Sequence, residues 1–210
     1  TIEIKLNIFE GKKELVERVD VIGNTITDES VIRAELLLDE GDPFNNLKLE
    51  QSISKLKARN IFGVIEKKVI DGSSKDQKII QIDVEEKPTG EISAGAGVGT
   101  NGASFSFKIS ENNWLGKGVS VVTSANVSAE SFTGGISVTD PNYNFSGNSL
   151  TYSLSSTSND KPKSGFKNHI ISTGIGTSFE QYRNIYISPS LNFSVDNLEV
   201  NSTASESLKK

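Results

Sequence analysis

The chain has 210 residues, carries a formal net charge of −5 and contains no cysteine. Its length suits two domains, its negative charge argues against a nucleic-acid-binding protein, and the lack of cysteine excludes disulfides and thiol catalysis within it. No apolar run approaches the ~20 residues that a transmembrane helix needs.

Composition changes near Pro88. Positions 1–88 hold 32 charged residues and the remaining 122 positions hold 17, whereas serine rises from 5 in the first stretch to 24 in the second. The sequence therefore predicts a short opening segment at 1–11, a charged domain at 12–88 and a weakly charged domain at 89–210. The opening Thr1–Leu6 already alternates like a strand, so we expect the chain to be a fragment of a longer protein.

The charged domain is predicted to have the order β-α-α-β-β. A short strand around Val19 and Val21 ends at a Gly-Asn turn, and a helix follows with Asp28 as its N-cap and a periodic apolar face reaching Leu38. Asn45 or Asn46 then caps a second helix. The apolar face of this second helix consists of Leu49, Ile53 and Leu56. Two strands, at Val64–Ile70 and Ile79–Val84, close the domain.

The second domain alternates apolar and small polar residues through seven segments between about Glu91 and Val195. The clearest segment puts Ala103, Phe105, Phe107 and Ile109 on one face, and serines and a lysine on the other. An outer-membrane β-barrel has this pattern, with lipid outside and water inside, but so does a soluble antiparallel sheet with one solvated face.

The placement of charges and aromatic residues favours the membrane barrel. Charged residues lie mainly at segment ends, so the segment middles are nearly neutral, as the membrane interior requires. Aromatic residues gather near the predicted turns, which predicts a membrane-interface belt. The belt consists of Trp114, Tyr143, Phe145, Tyr182 and Tyr186.

The turns between these segments fall into two alternating sets. One set is predicted at Gly99–Gly102, Ala129–Ser131 and Ser156–Phe166, and the other at Glu111–Gly118, Asp140–Asn148 and Glu180–Asn184. Pro189 lies within the seventh segment, where it removes a ladder hydrogen bond. We expect either a bulge at this position or a strand edge that is unpaired because an eighth strand is missing.

No catalytic, cofactor or metal site is predicted. His169 is the only histidine, and the glycine-rich run Gly95–Gly99 neither follows an apolar strand nor opens a helix, as a nucleotide-binding loop would. Paired carboxylates such as Glu85 and Glu86 lie in charged surroundings without apolar walls that raise a pKa.

The order of short motifs resembles the Omp85 superfamily, and in particular its outer-membrane assembly branch. The charged domain resembles a POTRA domain, and the second domain resembles the start of the superfamily's sixteen-stranded barrel. The motifs are Gly23-Asn24, Glu40-Gly41, Asn60-Ile61-Phe62 and Val84–Lys87 in the first part, and Asn113–Gly118 and Asp140–Tyr143 in the second.

This resemblance implies a non-enzymatic component of the machinery that folds and inserts β-barrel proteins into the Gram-negative outer membrane, with the POTRA domain in the periplasm. The implied partners are unfolded outer-membrane proteins, accessory lipoproteins and outer-membrane lipid. Residues 1–11 would then end a preceding POTRA repeat. Glu40, beside Asp39 and Asp42, is expected to dock a lipoprotein arginine.

The first barrel strand is the expected working surface. Four glycines weaken this strand. In a closed barrel it must pair with the last strand, and a weak seam between the two could open to offer unpaired backbone groups to an incoming strand, although small residues can also simply permit tight curvature. The expected pairing residues are Ile92, Ser93, Ala94, Gly95, Ala96, Gly97 and Val98. Three other functions remain open, namely an Omp85-type polypeptide secretion translocator, a passive porin or surface adhesin with a periplasmic domain, and an entirely soluble interaction module.

Overall fold

The computed structural model describes residues 13–99, 102–183 and 185–205. The chain divides into two units, with the boundary between Lys87 and Pro88. The predicted strand at Thr1–Leu6, and with it the expected end of a preceding repeat at 1–11, lies outside the described residues.

The first unit has the predicted order β-α-α-β-β. Its elements are β1 (Leu15–Ile22), α1 (Glu29–Arg33), α2 (Asn46–Ala58), β2 (Phe62–Asp71) and β3 (Gln77–Glu86). The strands form a three-stranded sheet in the order β1-β3-β2, with β1 parallel and β2 antiparallel to the central β3.

Helix α2 and the sheet enclose the core of this unit. Asn45 caps α2, because its side chain accepts hydrogen bonds from the N–H groups of Leu47 and Lys48 at 2.9 and 3.2 Å. The predicted face of α2, Leu49, Ile53 and Leu56, is buried in one core cluster with apolar residues of β1 and β3. The buried core consists of Val16, Val19, Val31, Ile32, Leu38, Leu49, Ile53, Leu56, Ile61, Phe62, Ile80, Ile82 and Val84.

Helix α1 is shorter than the apolar periodicity predicts. It ends at Arg33 rather than near Leu38, and the Asp28 side chain makes no capping hydrogen bond. The Leu37 N–H donates to the Ser52 hydroxyl at 2.8 Å instead of to the Arg33 carbonyl that a continuing helix would use. Leu38 is still buried, so its burial, and not a longer helix, explains its apolar character.

The second unit is an antiparallel sheet in which each strand pairs with the next. Its strands are β4 (Gly90–Gly99), β5 (Gly102–Trp114), β6 (Val119–Ser128), β7 (Ser131–Tyr143), β8 (Asn148–Lys161), β9 (Phe166–Tyr182), β10 (Ile185–Ile187) and β11 (Ser190–Val200). The sheet runs in sequence order from β4 to β9, and both β10 and β11 pair with β9. The seven predicted segments are therefore confirmed, with the seventh divided into β10 and β11.

The strands are longer than predicted, so the turns are shorter. The prediction of a loop at Ser156–Phe166 is wrong, because β8 continues to Lys161 and β9 starts at Phe166. Strands β5 and β7 also extend to Trp114 and Tyr143. At the end of β8 and the start of β9, polar residues continue the strand pairing through contacts such as Asn159–Asn168. Their polar composition alone predicts a loop.

The predicted bulge at Pro189 is also absent. Ile187 lies opposite Phe179 and Ser190 lies opposite Gly176, so the register is the same on both sides of the break. The alternative of an edge left unpaired by a missing strand does not hold either, because the Pro189 carbonyl points at β9 and accepts from the Thr177 N–H at 3.1 Å.

Candidate functional site

Strand β4 forms one end of the sheet. All of its residues from Gly90 to Gly99 are exposed, and within the described residues it pairs with β5 alone. Neighbouring residues of a strand direct their N–H and C=O groups to opposite sides, so half of the β4 backbone groups face away from β5. The predicted pairing residues Ile92 to Val98 all lie on this edge.

The β4 glycines lie opposite serines of β5. A methyl group at Gly95 would come within 2.8 Å of the Ser106 hydroxyl, and one at Gly97 within 3.3 Å of the Ser104 hydroxyl, whereas Gly99 has open space. The serine side chains can rotate away, so these contacts limit the size of residues 95 and 97 only weakly. Close packing therefore accounts for at most part of the glycine content, and a loosely held edge remains compatible with it.

One face of the second unit is apolar and exposed. The register aligns Ala94 with Phe107, Phe107 with Ala125, and Ile136 with Leu154, so the apolar positions of successive strands lie on one face of the sheet. Phe105, Phe107 and Ile109 are each more than half exposed. Near the middles of the described strands this face carries no charged residue, and its polar members there, such as Thr123, Ser156 and Thr173, are small, which suits the lipid-facing wall of a barrel.

The five predicted belt residues all lie at one end of this sheet. Trp114 ends β5, Tyr143 ends β7, Phe145 follows it, Tyr182 ends β9 and Tyr186 belongs to β10. Each is exposed by at least half of its surface. Their role as a membrane-interface belt stays a prediction, but their common position is the one that it requires.

Two turns at this end have the same construction, and we refer to them as the Asn-capped turns, residues 111–119 and 140–148. In the first, the Asn113 N–H donates to the Glu111 carboxylate at 2.8 Å, and the Asn113 side chain accepts from the Gly118 N–H at 2.7 Å. In the second, Asn142 makes the matching bonds with Asp140 and Gly147 at 3.0 and 2.8 Å.

Backbone conformation repeats in the Asn-capped turns as well. Leu115 and Gly116 have φ of 54° and 73°, and Asn144 and Phe145 have φ of 54° and 55°. A leucine or phenylalanine at positive φ is unfavourable and persists only where its surroundings fix the backbone. The sequence signal for this repeat is an acidic residue, an asparagine two positions later and an aromatic residue next, recurring 29 residues apart, and residue-type patterning alone did not reveal it.

Glu40 lies in the loop between the helices of the first unit and is already engaged there. Its carboxylate accepts from the Val19 N–H at 3.3 Å and lies 3.6 Å from the Arg33 guanidinium. The adjacent Gly41 N–H donates to the Val16 carbonyl at 2.7 Å. The loop thus covers the free edge of β1, and a role for Glu40 in docking would have to compete with, or extend, its pairing to Arg33.

Glu86 at the end of β3 holds the loop that precedes α1. Its carboxylate accepts from the backbone N–H groups of Thr25, Ile26 and Thr27 and from the Thr25 hydroxyl, at 2.6–3.2 Å. Burial opposes ionisation, but the hydrogen bonds from Thr27, Thr25 and Ile26 outweigh it and lower the pKa of Glu86 from 4.5 to about 2. The sequence motif contains this glutamate but does not indicate the contact, which spans about 60 residues.

No cluster of histidine, cysteine and acidic side chains suited to a metal ion occurs in the described part of the chain. Its helices also lack the length and apolarity needed to cross a membrane.

Comparisons with known proteins agree with this architecture. Residues 15–87 match the POTRA family model, described as a surface antigen variable number repeat. The outer membrane protein assembly factor BamA of Neisseria meningitidis serogroup B is 28% identical over 156 residues, which cover 73% of this chain and 20% of that protein. BamA of Neorickettsia risticii is 30% identical over 118 residues, covering 55% of this chain and 16% of the relative.

Solved structures give the same fold. The crystal structure of Haemophilus ducreyi BamA lacking POTRA domains 1–3 matches with a TM-score of 0.78 and 23% identity, covering 90% of this chain and 37% of that one. CdiB from Escherichia coli matches with a TM-score of 0.65 and 13% identity, covering 92% of this chain and 39% of that one.

The chain spans about a fifth or less of the length of these curated relatives. The relatives and the POTRA domain indicate the outer membrane, with the POTRA domain in the periplasm. Residues 15–87 are a POTRA domain, the strands that follow it have the fold of part of a BamA barrel, and the chain as a whole is similar in sequence to BamA proteins of the Omp85 superfamily.

Proposed function

We propose that this chain is part of a non-enzymatic outer-membrane assembly factor, and that β4 is the edge on which incoming β-strands are templated. One observation supports the proposal: β4, the first strand of the described sheet, carries four glycines among its ten residues, so few side-chain contacts hold it. Strand addition supplies backbone hydrogen bonds, and lipid then covers the apolar face, so folding needs no nucleotide or cofactor.

Proline substitution at two neighbouring residues tests the edge. Because consecutive residues direct their N–H groups to opposite sides, Gly95→Pro and Ala96→Pro remove one donor to β5 and one donor to the free edge. Whichever variant removes the N–H on the free edge of β4 should abolish assembly of outer-membrane proteins and leave the sheet folded. The variant that removes the N–H bonded to β5 should destabilise β4. Normal assembly with both variants would refute a templating role for β4.

A reversible crosslink tests the same edge in the full-length protein. A disulfide between β4 and the last strand of the barrel should block insertion of outer-membrane proteins, and a reductant should restore it. If the crosslinked protein inserted its substrates normally, the seam would have a structural role only.

The expected lipoprotein partner is tested at Glu40. Glu40→Lys should reduce co-purification of an accessory lipoprotein, and a compensating charge reversal on the partner should restore it. Asp39→Lys makes the same charge change in the same loop without touching Arg33, and Glu40→Gln keeps an acceptor for the Val19 N–H. If wild type and Glu40→Lys co-purified equal amounts of the lipoprotein, Glu40 would not belong to the docking surface.

Labelling of introduced cysteines tests the sidedness that the periplasmic POTRA domain implies. Residues within the strands or buried in the turns, such as Ser158 in β8 and the buried Asn113, are unsuitable labelling sites. Exposed turn residues serve better: Lys163→Cys should react with an impermeant reagent on intact cells, and Lys117→Cys should not. The opposite pattern would invert the topology.

A secretion translocator is the second candidate, because CdiB from Escherichia coli and CdiB from Acinetobacter baumannii share the fold at TM-scores of 0.65 and 0.62. The resemblance predicts two POTRA repeats in an exporter and usually five in an assembly factor, so the full-length reading frame distinguishes them. Constitutive ion conductance in planar bilayers would instead favour the porin or adhesin.

A further inference from the structure

The break between β10 and β11 interrupts the wall of the barrel segment. Pro189 lies opposite Thr177, and the Thr177 N–H donates to the Pro189 carbonyl at 3.1 Å. A regular antiparallel pair of this kind exchanges a second bond, from residue 189 to the Thr177 carbonyl. Proline has no N–H to donate, so this bond cannot form.

A cavity opens on each side of the sheet at this break. One has a volume of ≈380 Å³ and is lined mostly by serine, threonine and glycine. The other has a volume of ≈330 Å³ and is lined largely by apolar residues, including Leu150, Ile175, Pro189 and Leu191. Both cavities share Thr177 and Pro189 in their linings, so the sheet between them is only one strand layer thick.

The apolar cavity belongs to the lipid-facing side of the sheet. Strand alternation and register place Leu150, Ile175, Thr177 and Leu191 on the same face as Phe105 and Phe107. No charged side chain lines the cavity. Its volume equals about ten groups of the size of a water molecule, which is enough for a length of hydrocarbon chain.

We propose that this cavity, the Pro189 groove, binds one acyl chain of a membrane phospholipid. The groove is lined by Leu150, Ile175, Thr177, Pro189 and Leu191. The proposal rests on the outer-membrane location of the chain and does not depend on the templating function of β4.

Neighbouring residues suit the polar end of such a lipid. Tyr182, which is paired with Ile185 at the end of β9, lies five residues beyond Thr177, roughly 16 Å away along an extended strand. Exposed tyrosines lie at the level of lipid headgroups, and Arg183 in the adjoining turn offers a cation to a phosphate. A chain held in the groove therefore comes from a lipid of the periplasm-facing leaflet.

The physics of this site determines which measurement detects it. An acyl chain that leaves bulk lipid for an apolar groove gains little hydrophobic free energy, because both surroundings are apolar. It gains contacts in a space that lacks packing partners, and it loses motional freedom. The groove should therefore slow the lipid rather than bind it tightly, and motional restriction is the property to measure.

The test uses the full-length protein reconstituted in phosphatidylethanolamine vesicles that contain a chain-spin-labelled phosphatidylethanolamine. Thr177→Phe fills the groove, whereas Thr177→Val keeps its volume, and both lose the hydrogen bond from the Thr177 hydroxyl to the Ser149 carbonyl. Electron paramagnetic resonance should give the same motionally restricted lipid fraction for wild type and Thr177→Val. Thr177→Phe should restrict one lipid fewer per protein.

A second variant keeps the proposal testable if Thr177→Phe fails to fold. Pro189→Ala supplies the missing donor to the Thr177 carbonyl, so it should protect the amide at residue 189 from hydrogen exchange and lower the restricted lipid fraction. An unchanged restricted fraction in Thr177→Phe, or in a Pro189→Ala protein whose new amide is protected, would overturn the proposal. So would a photo-reactive residue at Leu191 that crosslinks to polypeptide instead of lipid.

Discussion

The POTRA domain and the barrel segment use apolar residues in opposite ways. Among the residues that the structure describes, all but one of the buried apolar residues belong to the POTRA domain, and the exception in the barrel segment is Ala204. In the barrel segment, the large apolar side chains also alternate along the strands but are exposed or only half-buried. Water drives apolar burial in the first case, and lipid replaces the core in the second, so similar alternation has opposite consequences for folding.

The largest expected effect follows from removing a buried side chain of the POTRA domain. Leu56→Ala should destabilise that domain by about 2–5 kcal/mol, because Leu56 is 1% exposed and its loss leaves a cavity. The matched change Phe107→Ala should alter the stability of the protein in detergent by less than about 0.5 kcal/mol. Denaturant unfolding of the full chain, followed by domain-resolved hydrogen exchange, measures both, and equal losses would contradict the comparison.

A charge on the apolar face of the barrel segment should matter only in a membrane. Phe107→Lys is expected to cost about 2–4 kcal/mol in a bilayer, since Phe107 lies near the middle of β5. Asn126→Lys places the same charge on the opposite, polar face and should be nearly neutral. The free energy of folding of the two variants is measured in vesicles and in detergent micelles. Equal losses of stability in vesicles would mean that the two faces are misassigned.

Acid should weaken the POTRA domain through Glu86. Because its pKa falls from 4.5 to about 2 on folding, its stabilising contribution is complete above about pH 4.5 and is lost as the pH falls toward 2. Discounted for partial exposure, this contribution is on the order of 2 kcal/mol. Glu86→Gln should lower stability at neutral pH and flatten the pH dependence between 4.5 and 2. Asp28→Asn, a nearby exposed carboxylate, is the control.

The smallest effect is expected at the Asn-capped turns. Asn113→Ala leaves the Gly118 N–H without the side-chain acceptor described above and should cost about 1 kcal/mol. Asn113→Asp keeps an oxygen in place and should cost less. Thermal unfolding of the barrel segment within the full chain should rank wild type, Asn113→Asp and Asn113→Ala in that order, and Asn142 should behave alike if the two turns are equivalent.

The period-two alternation of apolar residues predicted much of this fold, because each strand of the barrel segment has one apolar face and one polar face. The alternation around Phe105 and Phe107 fixes which residues face outward, whichever strand lies next to them. The helix boundary at Arg33 was not predictable, since a hydroxyl of Ser52, from another helix, captures the Leu37 N–H. The unbulged break at Pro189 also depends on its partner Thr177, which local sequence does not identify.

The site was predictable to a similar extent. The position of β4 at the edge follows from its place at the start of the barrel, and the clustering of Trp114 and Tyr143 follows from strand direction. By contrast, the pairing of Glu40 with Arg33 and the bonds that converge on Glu86 join residues far apart in sequence. Such contacts depend on tertiary packing, and no local pattern encodes them.

The Glu86 contact has a mechanical consequence. Glu86 lies two residues before Pro88, where the POTRA domain ends and the barrel segment begins. Tension applied to the chain at Pro88 reaches the carboxylate before it reaches the interior of β3, and the loop at Thr25–Thr27 shares the load through several hydrogen bonds. The end of β3 is thus anchored against peeling, which otherwise breaks backbone bonds one at a time.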